Sequence, residues 1–520
     1  MTYSSNQSSS QTINHNLGSV PGMIMVKRTS ASANWAVYHR GSNGGTNPEE
    51  YALNLNTTGV QNQGTSFWND TAPTSTQFTV GNNALTNDSD PADYVAYLFA
   101  HNNSDGGFGE PGDQDIIKCG SYTGNGNATG PVIDLGFEPQ WVMIKRASGG
   151  TGGWFIFDAM RGIVTGGNDN TLQAEATGAE GTGDNRILLT PTGFQIETTS
   201  SFFNNSGDTY AYMAIRRGGM QTPTAASDVF AIDDQGESSA PYSISGFPVD
   251  MVIRKDSDGG NSEVMSRLLQ GNATFANAVT AEGSDSVAQF DFMNGCLDDT
   301  SQDTSRNSFM WKRARGYFDV CCYTGTGSAR TVSHNLGVAP EMMWVKCRSD
   351  GEAWVVYHNN IDSSAPEDYG IYLNDTTKRV NSANFWNDTA PTSSVFTVGT
   401  AGKTNGNNKT YVAYLFATVA GISKLGTFTA TGSDVNVDCG FTNGSKFVLI
   451  KRTESSDDDW FIFRDIASGS DKRFKLNTTA AEATGSDNID PLSSGFTMTS
   501  GILGDSGNEF IFYAVANDPS

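Results

Sequence analysis

The sequence predicts an all-β protein: tandem antiparallel β-sandwich modules, jelly-roll-like, five of them in the order A-B-C-A-B. Three observations predict it. The composition favours strands, the chain repeats itself at fixed offsets, and apolar residues alternate with period two inside each repeat.

Composition comes first. The chain has 520 residues, too many for one ordinary core and enough for about three to five domains. Only 17% of residues are charged, and 58 are Gly, but 29 Phe, 17 Tyr and 9 Trp supply ample area to bury. A bias toward Thr, Val, Phe and Tyr over Leu, Glu and Lys favours strands joined by Gly, Asn and Asp turns, with almost no helix. The net charge of −24, with no basic stretch, disfavours nucleic acid as a partner. That acidity also keeps a repetitive β-protein soluble.

The repeat sets the architecture. Thr12–Arg28 (TINHNLGSVPGMIMVKR) returns as Thr331–Cys347 (TVSHNLGVAPEMMWVKC). His15 and His334 are 319 apart, as are Trp35 and Trp354. FWNDTAPTS at Phe67 recurs at Phe385, and YVAYLFA at Tyr94 recurs at Tyr411. A second pair interleaves: Trp154-Phe155-Ile156-Phe157 matches Trp460-Phe461-Ile462-Phe463, and AEATG at Ala174 matches AEATG at Ala481. A diverged middle stretch echoes both through Gly246-Phe247 and Met251–Lys255, with Ser262-Glu263-Val264-Met265 where the aromatic strand belongs. The expected boundaries are 1–104 (A1), 117–220 (B1), 226–317 (C), 318–419 (A2) and 420–520 (B2).

Within a module the strands follow in order. An opening strand leads through a Gly turn into an apolar strand ending in basic residues (MIMVKR, WVMIKR, FVLIKR). An aromatic strand (NWAVYH, WFIFD) follows, then a short LNLN-type strand, a Gly-Phe strand and a closing strand such as YVAYLFA. Alternate residues of each face one core. Six to eight short strands separated by turns indicate a sandwich.

The longest apolar runs are strand-length, so no membrane insertion is expected. Met1-Thr2-Tyr3-Ser4 resembles no signal peptide, and release on lysis is one route out of the cell. The six cysteines fit neither a zinc site nor a disulfide framework and read as buried small apolar residues.

Candidate chemistry is sparse. Four of five histidines recur as pairs, His15 with His39 and His334 with His358, each 24 apart. They read either as a ligand or metal site in each A module, or as polar tips satisfying backbone groups at turns. Trp68 with Asn69 and Asp70, and Trp386 with Asn387 and Asp388, lie in Asn/Thr-rich loops. An exposed ring flanked by hydrogen-bonding side chains is a sugar platform; the alternative is an indole folded back to cap the sandwich. The acidic runs Asp113–Asp115, Asp256–Asp258 and Asp457–Asp459 are solvated loops or seats for a structural calcium, the one cofactor considered. Glu175, Glu482 and Glu282 recur near a turn and read as structural, because an active site repeated in every unit is rare. No GxSxG elbow, phosphate loop or Cys–His arrangement is present, so no enzyme activity is expected.

These motifs carry a resemblance. GFEPQWVMIKR, WFIFDAMRG, AEATG, PTGFQIE and NNSGDTYAYMAI in B1, with HNLG, VYH, FWNDTAPTS and YVAYLFA in the A modules, resemble a repeated module of tail-fibre and structural proteins of marine tailed bacteriophages. The resemblance implies a virion appendage, extracellular after host lysis, with other virion proteins as partners. It also implies a homo-oligomer, trimeric in many fibres. The expected function is adhesion to a host cell-surface glycan. A ligand-free capsid or tail decoration, and a polysaccharide depolymerase, are the alternatives.

Overall fold

A computed structural model describes residues 1–107, 114–218, 221–234, 237–285, 288–298, 305–455 and 458–518. It is almost entirely β. Five six-stranded antiparallel sheets span Thr2–Ala100, Ile117–Arg216, Phe230–Trp311, Phe318–Phe416 and Ser423–Ala516. Each is faced by a smaller sheet of two or three strands, for example Ser10–Asn14 with Gln77–Gly81. The sandwich is therefore unequal: one broad sheet carries a small lid.

All five broad sheets have one strand order: opening, closing, apolar, aromatic, fourth, edge. In A2 these are Phe318–Thr324, Thr410–Phe416, Met342–Cys347, Val355–His358, Tyr369–Tyr372 and Val380–Asn381. Module C keeps this order although its aromatic strand has become Glu263–Ser266. Topology outlives the sequence pattern because strand pairing uses the backbone, while the side chains need only be apolar on the right face.

One pair of rings recurs where the opening and closing strands meet. Tyr3 stacks on Tyr94, Tyr122 on Tyr210, Tyr323 on Tyr411 and Phe428 on Phe510, with centroids 5.0–5.1 Å apart. The tyrosine hydroxyls reach loop carbonyls: Tyr122 Oη donates to Phe203 O at 2.8 Å and Tyr323 Oη to Thr404 O at 2.6 Å. The turn after the first small-sheet strand needs a left-handed residue, and Gly18, Gly136 and Gly337 supply it at φ +73°, +73° and +81°.

The inner face of each broad sheet meets its lid, as in the A2 cluster of Met343, Val345, Tyr357, Trp386 and Phe396. In A2 the outer face is buried as well. In the apolar strand of A2, Met342 through Cys347 are all buried. Alternation toward a single core is thus too simple for these strands. A sheet covered on both faces reads as a near-continuous apolar run.

The chain divides into two compact units, Met1–Gly219 and Met220–Ser520. The first holds A1 and B1; the second holds C, A2 and B2. In the second unit the outer faces of three broad sheets meet. Trp311 of C lies against Phe416 of A2 (6.4 Å) and Phe447 of B2 (5.6 Å), and Phe416 lies against Tyr513 of B2 (5.2 Å). Trp311 Nε1 donates to Tyr513 Oη at 3.2 Å. All four rings are buried.

Candidate functional site

The residues singled out in the sequence do not converge. Trp68 and Trp386 are 2% and 1% exposed, not surface platforms. Their indoles donate to Tyr51 O at 3.0 Å and Tyr369 O at 2.9 Å, and each packs edge-on against a tyrosine, Tyr38 or Tyr357. The loop folds the ring inward because Asn69, Asp70, Asn387 and Asp388 take left-handed backbone (φ +45° to +55°) and reverse the chain. Those four residues are exposed, but beside a turn rather than an aromatic face.

The histidines separate in the same way. His15 Nδ1 accepts from Leu17 N at 3.2 Å and its Nε2 faces Thr74 O at 3.2 Å; His334 repeats this with Leu336 N and Thr392 O. His39 Nδ1 accepts from Gly41 N (3.0 Å), and His358 Nδ1 from Asn360 N (3.1 Å). Each ring therefore satisfies backbone groups. Burial pulls His39 and His358 down to about 4, so both are neutral at pH 7. Among the described residues no cluster of three His, Cys, Asp or Glu is arranged to hold a metal ion.

The acidic loops meet basic side chains instead. Asp115 pairs with Lys118 (2.9 Å) and accepts three backbone amides. Asp459 pairs with Lys475 (2.7 Å), and Asp458 with Arg452 (3.3 Å). Asp256 faces Arg306 at 3.9 Å. Asp113 and Asp457 lie outside the described residues. The six cysteines are buried thiols, as their apolar reading expects.

The matching AEATG strings prove misleading. Glu175 Oε2 accepts from Trp154 N at 2.8 Å, the place that Asn477 takes for Trp460. Glu482 instead pairs with Arg464 (3.0 Å), and Glu282 with Arg348 (2.6 Å). Glu175 and Glu482 are therefore not equivalent positions, despite identical flanking residues.

What recurs is the seam between modules. The apolar strand of every module carries a lysine near its end, and in four modules the aromatic strand is led by a tryptophan. Both point away from the module's own core. In the first unit Trp154 Nε1 donates to Asn54 O at 2.9 Å, and Lys145 Nζ to Thr58 O at 3.3 Å and Gly152 O at 2.6 Å. Gln61 N donates to Ala147 O at 2.9 Å beside them.

The second unit repeats the arrangement. Trp354 donates to Phe275 O (2.9 Å), with Lys346 on Val279 O (3.0 Å) and Glu282 N on Arg348 O (2.8 Å). Trp460 donates to Tyr372 O (2.8 Å), with Lys451 on Thr376 O (3.1 Å) and Arg379 N on Thr453 O (2.9 Å). Module C has Ser262 in place of the indole but keeps the rest: Lys255 donates to Thr478 O (2.7 Å), and Glu482 N to Ser257 O (2.9 Å). In the second unit A2 donates to C, B2 to A2, and C to B2, closing a cycle of three.

Each seam is a carbonyl trap for one ammonium and, except where C meets B2, for one indole. Burial lowers Lys145, Lys255, Lys346 and Lys451 to about 8, which leaves them protonated at neutral pH. A buried ammonium accepts this cost only where carbonyls replace its water. Alternation in the sequence pointed each strand at the module's own core and gave the basic ending of the apolar strand no partner. The usable signal was positional: a lysine held near the end of the apolar strand in all five modules, where surface chemistry demands none.

The surface groove of B1 near Lys118 and Arg216 is open and mainly polar, and that of B2 near Asn443 and Asn517 is open and mixes polar residues with Ile466, Pro491 and Leu492. No helix is long and apolar enough to cross a membrane among the described residues. Comparison with curated proteins and with solved structures finds no match. One protein family matches, a domain of unknown function, DUF7483, over residues 1–217 and 269–519. The two matched segments each contain one A–B pair of modules, and on this coverage the chain belongs to the DUF7483 family.

Proposed function

We propose that this protein is a non-catalytic structural component of an extracellular assembly, the virion appendage that its resemblance implies. The single observation that carries the reading is where the polar investment lies. Histidines, seam tryptophans and buried lysines bond to backbone groups, the recurring glutamates to backbone or to arginines, and the repeated chemistry joins module to module. Such seams make a stiff, self-supporting body from small sandwiches, as short repeats do when each buries its neighbour's face. Adhesion through Trp68 and Trp386 loses its physical basis with both rings buried, so the ligand-free decoration reading is preferred over glycan binding.

The test is immunogold electron microscopy of purified virions with antibody raised to this chain. Label at regular positions on tail or capsid supports the proposal. Virions without label, or release of oligosaccharides from envelope polysaccharide by the purified chain, would overturn it.

A further inference from the structure

The two units are built from one kind of part but differ in number. The second closes a cycle of three modules; the first contains two. Each module has a donor edge, the indole and lysine, and an acceptor edge, the carbonyl at the end of the fourth strand with the loop beyond it. In the first unit B1 donates to A1. That leaves the donor edge of A1 and the acceptor edge of B1.

Both show what an unfilled seam looks like. Trp35, at the position of Trp354, is half-buried rather than buried, and its Nε1 meets no carbonyl among the described residues. Lys27 makes the bond to its own module that the other four lysines also make, here to Ala33 O, and lies 5.8 Å from the Trp35 ring, but it reaches no carbonyl of another module among the described residues. Tyr97 pairs across strands with Met25 as Tyr414 does with Trp344, yet Tyr97 is 48% exposed and Tyr414 is 0%. On B1, Leu172 pairs with Ile156 as Phe474 does with Ile462; Leu172 is 39% exposed and Phe474 is 0%. Gln173 and Thr177 stand where Asn54 and Thr58 receive Trp154 and Lys145, and no indole or ammonium reaches them among the described residues.

We propose that this outer face of A1 and B1 is a seat for one further module of the same fold, carried on a separate polypeptide. Edge arithmetic selects the occupant. A module entering the seat must accept from Trp35 and Lys27 while donating to Gln173 O and Thr177 O, so both of its edges must be free. In a second copy of this chain A1 and B1 each have one edge engaged, and C, A2 and B2 have both engaged. In a ring of three like that of the second unit, a second copy therefore enters only by breaking a seam of its own; two copies joined head to tail through their free edges would close a ring of four, which needs a different angle at every seam. The occupant is a lone module with a lysine-ended apolar strand and an apolar outer face.

The experiment places the photo-crosslinker p-benzoylphenylalanine at Tyr97 of the full chain, made in its native cells, with the same residue at Val132 (63% exposed) as control. Adducts are sequenced by mass spectrometry. The expected result is an adduct at 97, absent at 132, to another polypeptide carrying this module, falling at least tenfold on Leu172→Asp. Leu172 is exposed, so that variant retains its fold. No adduct, an adduct to a second copy or to the chain's own C, A2 or B2, or one to a protein lacking this fold overturns the proposal.

Discussion

Trp154→Ala separates a seam from a surface. Trp154 is 1% exposed, packs with Met23, Leu53, Met143 and Met213, and donates to Asn54 O. A buried indole removes about 200 Å² from water, roughly 5 kcal/mol at about 25 cal/mol per Å². Measured Trp→Ala costs of about 3 to 5 kcal/mol bracket the same range. Trp35→Ala removes the equivalent ring from a half-buried place with no indole hydrogen bond among the described residues, and is expected to cost about 1 kcal/mol or less. Trp154→Phe keeps most of the area and loses the hydrogen bond, for about 1 kcal/mol. The assay is residue-resolved amide exchange on the full chain. Gln61 N and Gly152 N donate across the seam to Ala147 O and Thr58 O, each at 2.9 Å, and report its opening directly. Trp154→Ala is expected to speed both by two orders of magnitude or more, and Trp35→Ala to leave both within a few-fold. Equal effects from the two variants would refute the claim that the indole locks B1 to A1.

Three further outcomes follow from the same geometry. Trp68→Ala and Trp386→Ala are expected to destabilise their modules by about 3 to 5 kcal/mol as core cavities; urea denaturation showing less than about 1 kcal/mol would restore a surface role. Asp319 carries a 2.6 Å ion pair with Arg313, with side chains 0% and 2% exposed, and also accepts from Asn335 N. Asp319→Ala removes a buried carboxylate from the Arg313 guanidinium and is expected to cost about 3 to 5 kcal/mol, where Arg313→Met with Asp319→Leu costs clearly less; equal losses in denaturant midpoint would contradict this. For His39 and His358 the folded-state value is about 4 against the ordinary 6.5. Between those values the unfolded chain binds more protons, so the stabilising contribution is complete above pH 6.5 and disappears as pH falls toward 4. Each contributes up to about 3 kcal/mol over that window. His358→Gln is expected to flatten the pH dependence of unfolding there, and a slope identical to the parent chain would count against the assignment.

Much of this was legible in the sequence because local rules governed it. Alternating apolar residues, Gly and Asn turns and matched strings such as HNLG, WFIF and YVAY specify strands, turns and repetition without reference to anything distant. The buried thiols followed from their lack of metal or disulfide spacing. Other features resisted such reading. FWNDT looks polar and exposed, yet left-handed Asn69 and Asp70 turn Trp68 inward. AEATG recurs letter for letter, yet the strand ladders make Asn477, and not Glu482, the counterpart of Glu175, since register is set by backbone pairing and not by identical neighbours.

The seams were hidden for a related reason. A strand's period tells which residues share a face but not what covers that face. MMWVKC reads as one buried face and one solvent face, and only the arrival of two other sheets makes Trp344 and Lys346 interior. The sequence by itself determined the all-β class, the five modules and their order. The tertiary structure decided which outer faces are buried, which tryptophans bridge modules and that three modules close a cycle where two leave edges open. The physical reason is range: turns and alternation act over a few residues, whereas burial of an outer face depends on a distant partner, as Lys346 depends on Val279, 67 residues away in the chain.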